Sequence, residues 1–393
     1  MKKNYLNFLI FVISIALTVF LGCKNFTGSS RLLARAQVSE GWGYIDKDGK
    51  FVIKPQFVDA DNFNTKNGLA AVKINNQWGL IDKSGKFVVN PAFDMISDFD
   101  DDTGLAGIRI NGKCGFMDGH GVIVIKPQFD DFWGFNKGLA AVKINDKWGF
   151  INNKCEFVIQ PKFEECHTFD DADVARVKIG NKWGLVDKLG KFIIEPQLSD
   201  CPMYFSKGID YTEIKINKKV GFIDRKGKII IEPQFDDSNG FDSSSSFAAV
   251  KINNKWGYID KKGTIVINPR FDWAGRFDIK SQLAPIGIAG KYGFINRSGS
   301  IAIYNKFDGV NGFDENTGLA FVGTGAKYGL FGGKWGFINT TGNYIVEPEF
   351  DSLSFYDEKS ELIMVTLNNK VGFIDKNGKF VINPIFDKAF GFN

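Results

Sequence analysis

His120 and His167 are the only histidines in the chain, so near-neutral acid–base chemistry has few places to reside. His167 closes the run Glu164-Glu165-Cys166-His167, which offers the oxygen, sulfur and nitrogen donors that bind a transition metal. No second Cys/His pair stands at ligand spacing. On a strand, the adjacent Cys166 and His167 would point to opposite faces, which disfavours a nucleophile–base pair. His120 falls in the turn Met117-Asp118-Gly119-His120-Gly121, where a solvated loop residue is expected. Asp46-Lys47-Asp48-Gly49 opens like a calcium loop but has no glutamate at its twelfth position. Glu164, Asp170 and Asp171 are the carboxylates a hydrolase could use, provided the fold gave them unlike roles. No phosphate-binding glycine loop or nucleophile elbow is present, and neither metal nor cofactor is expected. Trp133 and Trp273 are candidates of another kind, since an indole face can hold a ligand by stacking.

What positions these residues is a repeat. A glycine recurs as Gly43, Gly79, Gly115, Gly149, Gly184, Gly221, Gly257, Gly293, Gly336 and Gly372, spaced 34 to 37 residues apart except for one gap of 43. The residue before it is Trp42, Trp78, Trp148, Trp183, Trp256 or Trp335, and elsewhere Cys114, Val220, Tyr292 or Val371. A tryptophan that cysteine and valine can replace is expected to pack a core rather than contact a ligand. Trp133 and Trp273 lie off this motif, in the part of the unit that varies most, and remain the choices for ligand contact.

Each unit reads as three strands. Gly68–Asn75 and Gly138–Asn145 share "GLAAVKIN", with alternation of period two. The Trp-Gly-aromatic-Ile-Asp piece is the second strand, and Lys50–Pro55 ("KFVIKP") with its copies is the third. Asn-Asn or Asn-Asp between the first two suits left-handed hairpin turns. Asp-Lys-x-Gly between the second and third supplies a glycine for positive φ. Pro55, Pro91, Pro127 and their equivalents are expected to end the third strand, because proline cannot donate to a ladder. A Phe-Asp and a variable loop follow; the loops at 98–104 and 242–246 are polar, solvated linkers.

The expected fold is therefore all-β: ten three-stranded antiparallel meanders of about 36 residues, occupying 33–393. Neither end carries a polar cap of the kind an open solenoid needs, so closure into one or two propeller-like rings is favoured over an open superhelix. Extra residues near Gly323–Gly333 mark a candidate seam. "KWGFI", "KWGLVDKLGKFIIEP" and "KWGYIDKKGTIVINPRFD" resemble the WG-containing (KWG) repeat family over the whole of 33–393. That resemblance implies a bacterial, exported or surface-associated protein and says little about activity. Unit three departs at Cys114 and "DGHG", and unit five has Leu198-Ser199 where others have Phe-Asp.

Ahead of the array, Lys2 and Lys3 precede a 14-residue apolar run, Phe8–Leu21, too short for the ~20 residues of a membrane-spanning helix. The run ends in Gly22-Cys23, which resembles a lipobox. The expectation is a lipoprotein-type signal over 1–22, cleavage between Gly22 and Cys23, lipidation of Cys23, and a polar tether over 23–32. A plain secretory signal is the competing reading. Formal charge is +4, falling to about +2 without Lys2 and Lys3, which argues against a nucleic-acid partner. Four further cysteines permit a bridge in an exported chain, with Cys155 and Cys166 the foremost pair. Together these features suggest a non-enzymatic, lipid-anchored scaffold of the bacterial envelope, held to a membrane by its lipid and binding protein or polysaccharide through the variable loops. A carboxylate hydrolase on a ring and a purely structural envelope protein are the alternatives.

Overall fold

The computed structural model describes residues 31–205, 209–241, 246–325 and 332–393, of which Leu33–Asn393 forms one compact unit. The signal, Cys23 and most of the tether lie outside the described residues. The unit is a ring of ten small antiparallel sheets, a ten-bladed β-propeller; among the described residues nine blades have four strands and one has three. Blades are numbered 1 to 10 in chain order.

The turn chemistry is as the sequence predicts. Asn253 and Asn254 have φ of 50° and 63°, and Gly263 has φ of 83°. In the Asp-Lys-x-Gly turn, Gly263 N–H donates to Asp260 O while the Asp260 carboxylate accepts from Lys262 and Thr264 N–H. Asp46 does the same for Asp48 and Lys50, so the calcium-like stretch is an ordinary hairpin turn.

The proline does not end the third strand. That strand runs two residues further, as Phe51–Phe57 in blade 1 and Ile265–Phe271 in blade 7. Trp256 pairs with Phe271 and Tyr258 with Ile267, so three residues of one strand face Gly257 alone. Proline sits inside this bulge, on an edge strand, where no ladder N–H is required. The same bulge accounts for the glycine of the motif. A Cβ on Gly257 would lie 2.5 Å from Ile267 O and 2.6 Å from Pro269 N.

Sequence periodicity also misses a fourth strand. The variable loop after Phe-Asp contributes a short piece, such as Asp237–Ser238 or Trp273–Ala274, that pairs with the first strand of the next blade. Most blades thus take one strand from the preceding unit. Blade 1 takes its own from Lys388–Ala389, with Leu33 and Asn393 exchanging two backbone bonds of 3.1 and 3.0 Å. The array closes as one ring. Ala320–Thr324 and Lys334–Ile338 are neighbours in a single sheet, so the extra residues fall within one blade and mark no seam; 326–331 are outside the described residues.

There is no single core. Each apolar cluster joins one face of a blade to the next, as when Trp256, Tyr258 and Ile267 meet Phe277, Ala284 and Ile286. Trp256 is 6% exposed; burying ~200 Å² of indole contributes up to about 5 kcal/mol at ~25 cal/mol/Å². A polar clamp repeats alongside. Lys255 reaches Asp272 at 2.5 Å, and the other oxygen of Asp272 accepts from Ala289 N–H in the hairpin of the next blade. The Lys-before-WG to Phe-Asp pair recurs at Lys113–Asp130, Lys219–Asp236, Lys291–Asp308, Lys334–Asp351 and Lys370–Asp387.

Candidate functional site

Met203, Asn239, Gly275 and Asn311 come from four successive blades yet line one cavity of about 670 Å³. Only the edge nearest the ring axis brings so many blades together. The short fourth strands and the loops around them therefore face the axis, and the proline-bearing strands form the rim.

Blade 6 breaks the pattern at this edge. Leu198-Ser199 replaces Phe-Asp, and Pro202 follows within Ser199–Phe205, where an inner strand would need N–H donors. Accordingly this is the blade with three strands. Its irregular segment separates two cavities. Met203 and Glu213 border the larger one, while Tyr204 and Phe205 border a second of about 350 Å³.

Trp273 is half-buried in the wall of the larger cavity, edge-on to Tyr292 with ring centroids 5.7 Å apart. Glu213, Asn239, Arg276 and Asp314 also line it. Burial raises the Glu213 carboxyl above its ordinary range, opposed by the Ser238 hydroxyl and Arg276. Arg276 is held by donating from Nε to Asn239 O at 2.6 Å, and Asn239 Nδ2 donates to Ala274 O. The chemistry available here is binding by an aromatic wall with mixed charged and amide groups.

Trp133, on the same inner strand as Asn136 of the smaller cavity, is 48% exposed, against 6–8% for Trp42, Trp148, Trp183, Trp256 and Trp335 in the motif. Its indole N–H donates to Cys166 O of blade 5 at 3.1 Å. Its ring is parallel within 19° to both Trp148 and His167, with centroids 6.3 Å away in each case. His167 continues to Trp183 at 5.6 Å and meets Tyr204 edge-on at 6.2 Å. Behind Tyr204, Arg176 is 6% exposed and puts its guanidinium 3.2 Å from the ring centroid. Arg176 Nη1 donates to Pro202 O, while Nε and Nη2 find no partner among the described residues. Burial, with Arg176 nearby, lowers the His167 pKa below its ordinary value.

The other sequence candidates have structural roles or stand apart. Asp170 is buried and accepts from Ala172 and Val174 N–H in its own loop and from Phe205 N–H of the next blade at 2.9 Å. Asp357 makes the same bond to Phe392 N–H, so this residue is an inter-blade clasp. Asp171 pairs with Lys137 at 3.0 Å, Glu165 with Lys178, and the Glu164 carboxyl is held below its usual range first by backbone N–H of Gly180 and Asn181. No group of unlike carboxylates converges among them. His120 is exposed in its turn. Among the described residues no three of His, Cys, Asp and Glu gather as metal ligands. Cys114, Cys155, Cys166 and Cys201 are all free thiols. Cys155 sits in a turn of blade 4 and Cys166 on the inner strand of blade 5, so closeness in sequence does not pair them.

Sequence reasoning reached Trp133 and Trp273 because they lie off the motif. It passed over Arg176, Tyr204, Glu213 and Arg276. Their signal was available: Arg176 and Glu213 occupy the first-strand position that is Ala71, Ala141 or Ala249 in other units.

Among solved structures, the fold is similar to a eukaryotic initiation factor, with TM-score 0.55, 10% identity, and coverage of 93% of this chain and 98% of that one. BamB from Moraxella catarrhalis (TM-score 0.33, 11% identity, 68% and 96% covered) and the dihydro-heme d1 dehydrogenase NirN (0.42, 11%, 92% and 75%) are more distant. The likeness at these identities is one of fold alone. No curated protein matches the chain. The WG containing repeat matches ten times, over 42–78, 78–114, 115–148, 148–183, 183–219, 221–256, 256–292, 292–328, 335–370 and 372–393. With every blade accounted for by that repeat, the chain belongs to the WG containing repeat family.

Proposed function

We propose that this protein is a non-enzymatic binding scaffold, anchored to the bacterial envelope through a lipid on Cys23, that takes protein or polysaccharide partners at the inner edge of its ring. One observation carries the binding half. Side chains that the repeat does not require gather on the axis-facing edge around blade 6: Tyr204, Glu213 and Trp273 line two cavities there, Arg176 packs on Tyr204, and Trp133 stands exposed nearby. The anchor half rests on the apolar run and Gly22-Cys23. The carboxylates that a hydrolase would use are engaged in clasps and ion pairs, which favours binding over hydrolysis.

Two measurements test the reading. Intact mass of membrane-purified protein is expected to show an acylated Cys23, and Cys23→Ala to release the protein from the membrane fraction; an unmodified cysteine would end the anchor reading. Envelope proteins and glycans are then offered to immobilised protein. Ligands retained by wild type and by the rim variant Val266→Ala, but lost by Trp273→Ala or Tyr204→Ala, support the inner edge. Equal retention by all variants would overturn it.

A further inference from the structure

We propose that Trp133, His167 and Tyr204 form a cleft for an uncharged polysaccharide chain, crossing blades 4, 5 and 6. The proposal rests on the binding reading above and names its ligand class.

The fold does not need aromatics at this place. The fourth residue after the strand-three phenylalanine is Trp133 or His167 here, but Asp61, Ser97, Asn239, Gly275, Asn311 and Ser354 in other units; unit ten also has an aromatic, Phe390, but it stands alone, on Trp42. His167, Asn239 and Gly275 each donate their backbone N–H to the same first-strand position, so the slots are equivalent. Full face-to-face contact would bring parallel rings to roughly 3.5–4 Å. At 6.3 Å and 19°, Trp133 and His167 are instead displaced like roof tiles; His167 is half-buried between Trp133 and Trp183, and Trp133 remains 48% exposed. Trp133 has its only donor committed to Cys166 O, which fixes the ring and leaves the apolar face to the outside. Tyr204, 46% exposed and at 81° to His167, stands as a wall beside these tiles. Tiles about 6 Å apart suit successive rings of a chain that present C–H faces.

Polar groups lie beside the Tyr204 end of the cleft. Asn136, Thr168 and Asp171 line the adjoining cavity, whose 350 Å³ falls within the range of small-ligand sites. They can exchange hydrogen bonds with hydroxyls of a sugar stacked on the tiles. Charge decides the class. Lys137 with Asp171, Lys178 with Glu165, and buried Arg176 near Asp170 leave cations and carboxylates in balance. An acidic glycan or a basic peptide would find no complementary excess here, whereas an uncharged chain gives up little solvation.

Isothermal titration and tryptophan fluorescence with cellohexaose, laminarihexaose and chitohexaose, against alginate and polylysine as charged probes, test the assignment. Binding of at least one uncharged hexaose is expected, weakened about tenfold by Trp133→Ala and by Tyr204→Ala, and unaffected by the rim variant Val266→Ala. Trp133→Phe keeps a flat face and is expected to restore most of the affinity, which separates lost stacking from misfolding. Preference for a charged probe, no response to any uncharged hexaose, or equal affinity in Trp133→Ala overturns the proposal. If the hexaoses fail while an envelope protein is still captured at the inner edge, the ligand class is wrong and the scaffold reading stands. If nothing is bound at that edge, both fall.

Discussion

Replacing Gly257 by alanine tests the account of the motif glycine most directly. Its φ is not positive, so alanine meets no backbone penalty; the obstacle is space. The new Cβ would stand 2.5 Å from Ile267 O, 2.6 Å from Pro269 N and 2.9 Å from Pro269 Cα. All three are backbone atoms of the bulge, so no side chain can swing away. The neighbouring strand must move by close to an ångström, or the pairing of Trp256 with Phe271 must break. Overpacking of this kind costs about 1–3 kcal/mol, and the rigid obstacle puts this case near the top, at about 3 kcal/mol. With a urea slope of ~3 kcal/mol/M or more, the unfolding midpoint falls by up to about 1 M. Gly134→Ala is the control, since nothing lies within 4 Å of its Cβ and its φ is not positive. It is expected to change the midpoint little or to raise it. Gly149→Ala meets Ile159 O at 2.6 Å and Pro161 N at 2.7 Å, and should cost nearly what Gly257→Ala costs. Urea melts of the three variants in which Gly257→Ala tracks Gly134→Ala would refute the bulge as the reason for the glycine.

Other outcomes follow from the clamps, the histidine and the closure. Lys255 lowers the Asp272 pKa, and equivalent lysines lower Asp308 and Asp351, so these groups hold protons less readily folded than unfolded. Their contribution is present above the unfolded carboxylate pKa of ~3.9 and is lost as pH falls through the lower folded values, so acid melts should show a steep loss below about pH 4 that weakens in a Lys255→Met/Lys291→Met variant. His167 has a lowered pKa, so its folded state resists protonation and stability rises with pH as the unfolded histidine, pKa ~6.5, loses its proton. NMR titration should place the His167 midpoint below the ~6.5 of an unfolded histidine, and a midpoint above it would contradict its burial between rings. Deleting 387–393 removes the strand paired with Ala36–Gln37 together with buried Phe392. Hydrogen exchange should then accelerate first in Ala34–Val38 and only later in blades 4 to 7, and uniform acceleration would mean that closure does not act locally.

Much of this architecture is legible in the sequence because a repeat averages over its own noise. The tryptophan of the motif could be assigned to the core from its replacement by Cys114 and Val220, and closure could be favoured from uncapped ends. Ala274 and Cys166 show why the fourth strand was not legible. Only two residues pair in Trp273–Ala274 or Glu165–Cys166, too few for alternation to register. Pro55 misled for a physical reason: a ladder has no place for it, but a bulge does. Asp170 looked chemical in isolation. Aligned with Asn64, Asp100, Asp314 and Asp357, it is one of a series that caps its loop. The inner-edge site was half legible, since Trp133 and Trp273 stand out singly, whereas the proximity of Arg176 to Tyr204 arises only when the missing strand of blade 6 lets its segment wander.

In nine of the ten units a hairpin glycine rests on an aliphatic side chain of the blade before it, and in unit four Cys155 takes its place. Gly263 meets Ile231 Cγ2 at 3.1 Å, Gly299 meets Ile267, and across the closure Gly49 meets Ile382. Ten blade-to-blade interfaces share a full turn, about 36° apiece, and an eleventh unit would need only about 3° less at each. A change that small is within the give of one methyl contact. Gain or loss of a whole unit by gene duplication would therefore leave each interface nearly untouched and fall almost entirely on the width of the central opening. In such a ring, the size of the opening can evolve while the walls stay the same.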